Sequence, residues 1–169
     1  IVADYALKQT HLNTSKVTTT GSDYLSARKV LLKNNDCSIS ICSPKERKMD
    51  YFYKNAEGDE VLYVHDGKGI LISPFGKLEI RQGDYIVIPR TVIYKLEFEE
   101  GPLRLLIIEA NSPVETVKRY RNQLGQLGEH SPYCERDIRP PHELITDTSK
   151  GEFLLKIKKQ GFLHNYVYE

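Results

Sequence analysis

Tyr53-Lys54-Asn55-Ala56-Glu57-Gly58-Asp59-Glu60-Val61-Leu62-Tyr63-Val64-His65-Asp66-Gly67 is the stretch on which the reading of the fold turns. Val61 to His65 is apolar and β-branched, which suits a pleated strand. Asp66-Gly67-Lys68-Gly69 then reads as a hairpin turn. The alternation of short apolar runs and Gly/Pro punctuation continues downstream: Ile70 to Ile72, Leu78 to Ile80, Tyr85 to Ile88, Val92 to Phe98 and Leu103 to Glu109. Upstream, Cys37 to Cys42 and Met49 to Tyr53 are also β-prone. Such spacing predicts a meander of strands within an all-β sandwich or barrel.

Beyond Asn111 the pattern changes. Val114 to Tyr120 is compatible with a short helix having Pro113 at its first position. Glu129 to Pro141 is polar and broken by prolines, and reads as an extended arm lying over another part of the molecule. Phe153 to Lys158 and His164 to Tyr168 resume strand character. The expected division is a β-barrel with lead-in strands over 1–111, an arm with a short helix over 112–150, and further strands over 151–169.

The chain has 169 residues with 24 Lys plus Arg against 23 Asp plus Glu, a formal net charge of +1. That balance argues against nucleic-acid binding, which favours a basic excess. No apolar run approaches the roughly 20 residues of a membrane-spanning helix. The three cysteines, Cys37, Cys42 and Cys134, have neither disulfide-framework nor zinc-knuckle spacing, so a reduced, cytoplasmic setting is expected. A start at Ile1 and a stop within an apolar-aromatic run read as the ends of a fragment.

The block from Tyr51 to Glu109 resembles the cupin superfamily, whose β-barrels carry two histidines flanking one residue, then a glutamate, then a glycine. Glu60 and Gly67 fit that spacing, with Tyr53 and Asn55 at the histidine positions. A second motif runs glycine, five residues, proline, one residue, glycine, two residues, histidine. Gly83 and Pro89 fit it, Thr91 replaces the second glycine and Tyr94 stands at the histidine position. Over nearly the whole chain, and most specifically at Asn55 to Glu60 and Gly83 to Arg90, the sequence is similar to the amino-terminal half of homogentisate 1,2-dioxygenases, particularly the bacterial branch.

The resemblance implies a jelly-roll barrel within a two-cupin subunit, assembled as a homotrimer or hexamer. Such enzymes open the ring of homogentisate with dioxygen in tyrosine and phenylalanine catabolism. They use Fe(II) bound by two histidines and a glutamate of the carboxy-terminal cupin half, which would be this chain's principal partner. No catalytic residue and no iron ligand can be carried onto this sequence. One carboxylate with two phenols and an amide suits ferrous iron poorly. The expectation is a metal-free barrel whose vacated ligand positions, Tyr53, Asn55, Glu60 and Tyr94, form a polar plug, and a fragment inactive by itself. A stand-alone metal-free cupin that binds a small molecule is the alternative. A sugar-nucleotide isomerase is a weaker one, since His65 is the only barrel histidine.

Other candidates have simpler readings. Glu60 reads as a carboxylate at a strand start, paired with a lysine or backbone amides. His130, Glu129, Glu135 and His142 match no metal-ligand spacing. Arg136 and Arg139, with Arg119, Arg121 and His130, could contact an aromatic acid substrate or a neighbouring subunit, since a guanidinium forks well onto a carboxylate. Salt bridges within the arm to Glu129, Glu135 and Asp137 are the preferred reading. Cys134 has no neighbour that would make it a nucleophile, and Gly67-Lys68-Gly69 lacks the context of a phosphate loop.

Overall fold

The computed structural model describes residues 9–145 and 149–168. Eleven strands lie among them: β1 (Arg28–Lys33), β2 (Cys37–Cys42), β3 (Phe52–Asn55), β4 (Asp59–Asp66), β5 (Gly69–Ser73), β6 (Gly76–Ile80), β7 (Tyr85–Ile88), β8 (Lys95–Phe98), β9 (Arg104–Ala110), β10 (Phe153–Lys159) and β11 (Phe162–Tyr168). One sheet has the order β1-β2-β9-β4-β7 and is antiparallel throughout. The facing layer contains β6-β5-β8. The bridges Lys48↔Glu97 and Tyr53↔Tyr94 link it to β3, β10 and β11. The result is an all-β jelly roll of two layers.

Period-2 alternation sets the core. On β4, Glu60, Leu62 and Val64 are buried, whereas Val61 and Tyr63 are half-buried and His65 is exposed. The core brings Leu62, Val64, Leu105 and Ile107 of the first sheet together with Tyr53, Leu71, Leu96 and Phe98 of the second layer. Asp59 departs from the alternation because its carboxylate has a separate task. Its Oδ1 accepts from Arg90 N (2.8 Å) and its Oδ2 from Val114 N (2.8 Å), tying both segments to β4.

Three expectations need correction. The strands do not form a meander: β4 pairs with β7 and β9, whereas β5 pairs with β6 and β8. Gly67-Lys68 is therefore a crossover between layers and not a hairpin turn. Gly67 has φ +113°, a conformation that L side chains rarely adopt, and this is what requires glycine there. The helix over Val114–Tyr120 reduces to one 3₁₀ turn at Lys118–Tyr120, because Val114 is held by Asp59 before a helical turn can close. Finally, β1 was not foreseen. Its apolar Val30 and Leu32 are 55% and 58% exposed and straddle a break in register, so no inward-facing pattern marks it.

His142 pairs with Lys77 of β6, and Arg139 donates to Asp84 (2.5 Å) in the β6–β7 turn. The strand β10 also sits against the barrel, running parallel to β3 and burying Leu155.

Candidate functional site

The register of the first sheet creates an electrostatic problem. Glu60 of β4 stands directly opposite Glu109 of β9, and like charges opposed across strands repel. Both side chains are largely sequestered, at 1% and 16% exposure, so water cannot screen them. Arg28 resolves the repulsion. From the start of β1 its Nη1 donates to Glu60 Oε1 and to Glu109 Oε1, each at 2.7 Å.

The remaining carboxylate oxygens are also partnered. Tyr94 donates its hydroxyl hydrogen to Glu60 Oε2 at 2.6 Å, and Lys158 of β10 donates to Glu109 Oε2. The Lys158 ammonium also lies 3.8 Å from Glu57. A continuous chain, Tyr94–Glu60–Arg28–Glu109–Lys158, thus runs from the second layer through the first sheet to the added strand β10. Two cations and two anions alternate along it.

Aromatic rings enclose the guanidinium. Its Cζ lies 4.4 Å from the Tyr24 ring centroid and 5.4 Å from that of Tyr53, within cation–π range. Tyr53 and Tyr94 meet edge to face at 5.5 Å, and the Tyr24 and Tyr94 hydroxyls are 3.3 Å apart. Burial pushes the phenols of Tyr24, Tyr53 and Tyr94 far above their ordinary value. In this environment they stay neutral at physiological pH. Burial alone would lower Arg28, but Tyr24, Glu60, Tyr94 and Tyr53 hold it charged. Burial would likewise raise Glu109, yet Arg28 and Lys158 overcome it and leave the carboxyl below its ordinary value.

The four vacated ligand positions are brought to this region, but not as one plug. Glu60, Tyr94 and Tyr53 share the core site. Asn55, although buried, turns its Oδ1 to the backbone, accepting from Glu57 N (2.9 Å) and Gly58 N (3.2 Å). A short side chain two residues before a tight turn caps that turn readily, and this local geometry wins over the barrel interior. Glu60 pairs with an arginine and a tyrosine instead of a lysine or backbone amides. Thr91, at the position where the motif has glycine, keeps the left-handed conformation that a glycine would favour, φ +72°. Its N–H donates to the Asn55 carbonyl (2.8 Å) and holds the two motifs together.

Sequence reasoning missed Arg28, Tyr24, Glu109 and Lys158. The available signal was indirect: a carboxylate expected inside an apolar strand needs a cation from somewhere. The other candidates lie apart from this site. His65 is exposed beside Tyr63 and Asp66, and His130 is exposed. Arg136 pairs with Asp137 (3.6 Å), as expected within the arm. By contrast Arg139 reaches Asp84, Arg121 reaches Glu115 (3.2 Å), and Arg119 stacks on Tyr120. Tyr85 is exposed on β7, and Cys134 is exposed and free. Among the described residues no three His, Cys, Asp or Glu side chains converge as metal ligands.

Fe(II) does not fit the residues at this position. A divalent cation would have to sit where a guanidinium already neutralises both carboxylates, with neutral phenols and an amide as further donors.

Residues 20–169 match the family model described as the homogentisate 1,2-dioxygenase amino-terminal region. The chain belongs to this family. A relative named "Putative dioxygenase" from Saccharolobus solfataricus is 41% identical over 147 residues, covering 87% of this chain and 37% of the relative. The chain thus spans little more than a third of that relative's length. Among solved structures, an uncharacterised Klebsiella pneumoniae protein with a double-stranded β-helix domain is similar with a TM-score of 0.51 and 13% identity. That alignment covers 62% of this chain and 91% of the other. It supports the cupin-type fold alone. This member of the homogentisate dioxygenase family therefore has a cupin barrel in which two of the four motif positions, Glu60 and Tyr94, belong to a chain of ion pairs and hydrogen bonds.

Proposed function

We propose that this chain is the non-catalytic amino-terminal cupin portion of an enzyme that opens the ring of homogentisate with dioxygen, in cytoplasmic tyrosine and phenylalanine catabolism. Fe(II) belongs, in this reading, to a carboxy-terminal cupin half outside this chain, and the subunits assemble as a homotrimer or hexamer. The barrel's task is to support that half and to build the assembly.

One observation carries the reading: the Arg28 guanidinium is held at 2.7 Å from both Glu109 and Glu60, the one motif position that keeps its carboxylate. A barrel centre that is already charge-balanced and fully partnered along its carboxylates suits a scaffold. The short span of this chain on its S. solfataricus relative is consistent with a larger enzyme.

The test compares the complete gene product with the 169-residue chain for iron content and homogentisate-dependent oxygen uptake. The complete protein should hold iron and consume oxygen, and the chain alone should do neither. Arg28→Met in the complete protein should lower thermal stability while leaving iron per folded subunit unchanged. Stoichiometric iron in the chain alone would sink the proposal, as would a complete gene product ending at Glu169.

A further inference from the structure

The register of the first sheet sorts its side chains onto two faces, and the outward face is apolar across all five strands. Directly opposed residues share a face, so the pairings define two outward rows. One runs Leu32–Ile39–Ile108–Val61–Val87, from β1 to β7. The other runs Ile41–Leu106–Tyr63–Tyr85, from β2 to β7, with Lys29 of β1 at its end. Ile41 is covered, at 2% exposure, but Leu32, Val87 and Tyr85 are 58%, 47% and 68% exposed, and the others are half-buried. The Tyr63 and Tyr85 rings lie with centroids 4.7 Å apart, an aromatic pair already in place on this face.

The second layer shows a solvated face in the same molecule. Outward from β5, Ile70 and Ile72 stand opposite Glu79 and Glu97 and opposite Lys77 and Lys95. Those charges pair with one another and with Lys48 and Glu143. Polar side chains on the outer face are what an antiparallel sheet wet on one side requires. The first sheet has no charge between Leu32 and Val87 or between Ile41 and Tyr85, while Lys29 and His65 stand at the margin. An apolar centre inside a polar rim is the make-up of a contact surface.

The size of the face selects its occupant. Five strands about 4.8 Å apart and two rows about 7 Å apart, with side-chain margins, make a patch of roughly 350 Å². Doubled for the partner's share, about 700 Å² lies within the roughly 600–1,500 Å² of contacts between domains of one chain. It falls short of the roughly 1,200–2,000 Å² that holds separate chains together. A tethered domain meets the face at an effective concentration on the order of millimolar, so the smaller area suffices for it. This chain covers only 37% of its S. solfataricus relative, which leaves ample sequence in that protein for such a domain.

We infer that the outward face of the β1-β2-β9-β4-β7 sheet is the docking surface for the remainder of the same polypeptide, the part that corresponds to the region of the relative outside this chain's match. The inference rests on the proposed reading of this chain as a portion of a larger enzyme, and adds which face of the barrel meets the rest. An apolar surface of the remainder packs on Val61 and Ile108 at the centre, with the Tyr63–Tyr85 pair as its anchor toward β7.

Two substitutions at exposed positions test the face in the complete gene product against the 169-residue chain. With Val87→Cys, alkylation by a maleimide, located by peptide mass, should be about tenfold or more slower in the complete protein, as for a side chain moved into a dry interface. With Tyr85→benzoylphenylalanine, irradiation of the complete protein should join this site to peptides beyond Glu169 without raising the mass above one subunit. Equal alkylation in the two proteins, or cross-links only to a second copy, would overturn the docking surface. If that happens while the complete protein holds iron and consumes oxygen, the proposed function stands and this inference alone falls. A covered face in a complete protein without iron would do the opposite, and a gene product ending at Glu169 would overturn both.

Discussion

Burying a guanidinium between two carboxylates exchanges hydration for Coulomb attraction, and the exchange succeeds only where every charge keeps a partner. Arg28, Glu60 and Glu109 meet that condition, with Tyr94 and Lys158 completing the set. Arg28→Met should therefore cost about 3–5 kcal/mol, because two opposed carboxylates stay behind without a counter-charge. Adding Glu60→Gln should recover part of that loss, measurable as the coupling in a double-mutant cycle by urea unfolding. A larger loss in the double variant would show that hydrogen bonding, not charge, holds the site. Thr91 poses the opposite problem: a β-branched residue at φ +72° is strained where its family motif has glycine. Thr91→Gly should stabilise the chain by about 1 kcal/mol, the relief exceeding the entropy that glycine loses, and a thermal midpoint raised by a few degrees would register it. Glu60 and Tyr94 were legible as neighbours because motif spacing fixes which barrel positions converge. Arg28 was not, since a cation heading an edge strand has the sequence signature of a solvent-exposed side chain.

At the scale of elements, Glu109 joins three strands, receiving Arg28 from β1 and Lys158 from β10 while it sits on β9. Its carboxyl lies below the ordinary value of 4.5 in the folded chain. A depressed folded value means stability that is present above that ordinary value and is lost as pH falls below it toward the folded one. Glu109→Gln should therefore lower stability at neutral pH and flatten the acid limb of a urea-midpoint profile. The same substitution should speed amide exchange in β10 and β11 ahead of β4 and β9. Unaltered exchange in β10 would mean that its parallel pairing with β3 suffices to hold it. Strands β2, β4, β7 and β9 of the first sheet and the β5–β6 hairpin were readable from apolar runs and Gly/Pro breaks. Their connectivity was not, because Asp66-Gly67-Lys68-Gly69 has the composition of a hairpin turn and only the long-range pairings reveal a crossover. β1 escaped because its apolar side chains face outward, reversing the signal by which strands are recognised.

For the whole molecule, the carboxy-terminal hairpin leaves an unbalanced apolar surface. All seven residues of β11 are exposed, among them Phe162 at 70%, Leu163, Tyr166, Val167 at 62% and Tyr168. β11 is also the outer strand of its layer, so its backbone donors and acceptors on that side form no ladder among the described residues. Natural edges are blunted by charge, proline or a bulge, and β11 has none of these, pairing with β10 in unbroken register. A flat apolar edge of this kind recruits another strand or apolar surface. Within the proposed scaffold role, the remainder of the enzyme supplies it. The 169-residue chain alone should consequently self-associate with rising concentration, seen as increasing mass in sedimentation or light scattering. Leu163→Lys with Val167→Lys places two charges on one face of β11 and should return the chain to a monomer with little change in its thermal midpoint, as both side chains are already in solvent. A chain that stays monomeric without those charges would mean that the edge needs no cover, and the scaffold role would lose its most exposed surface.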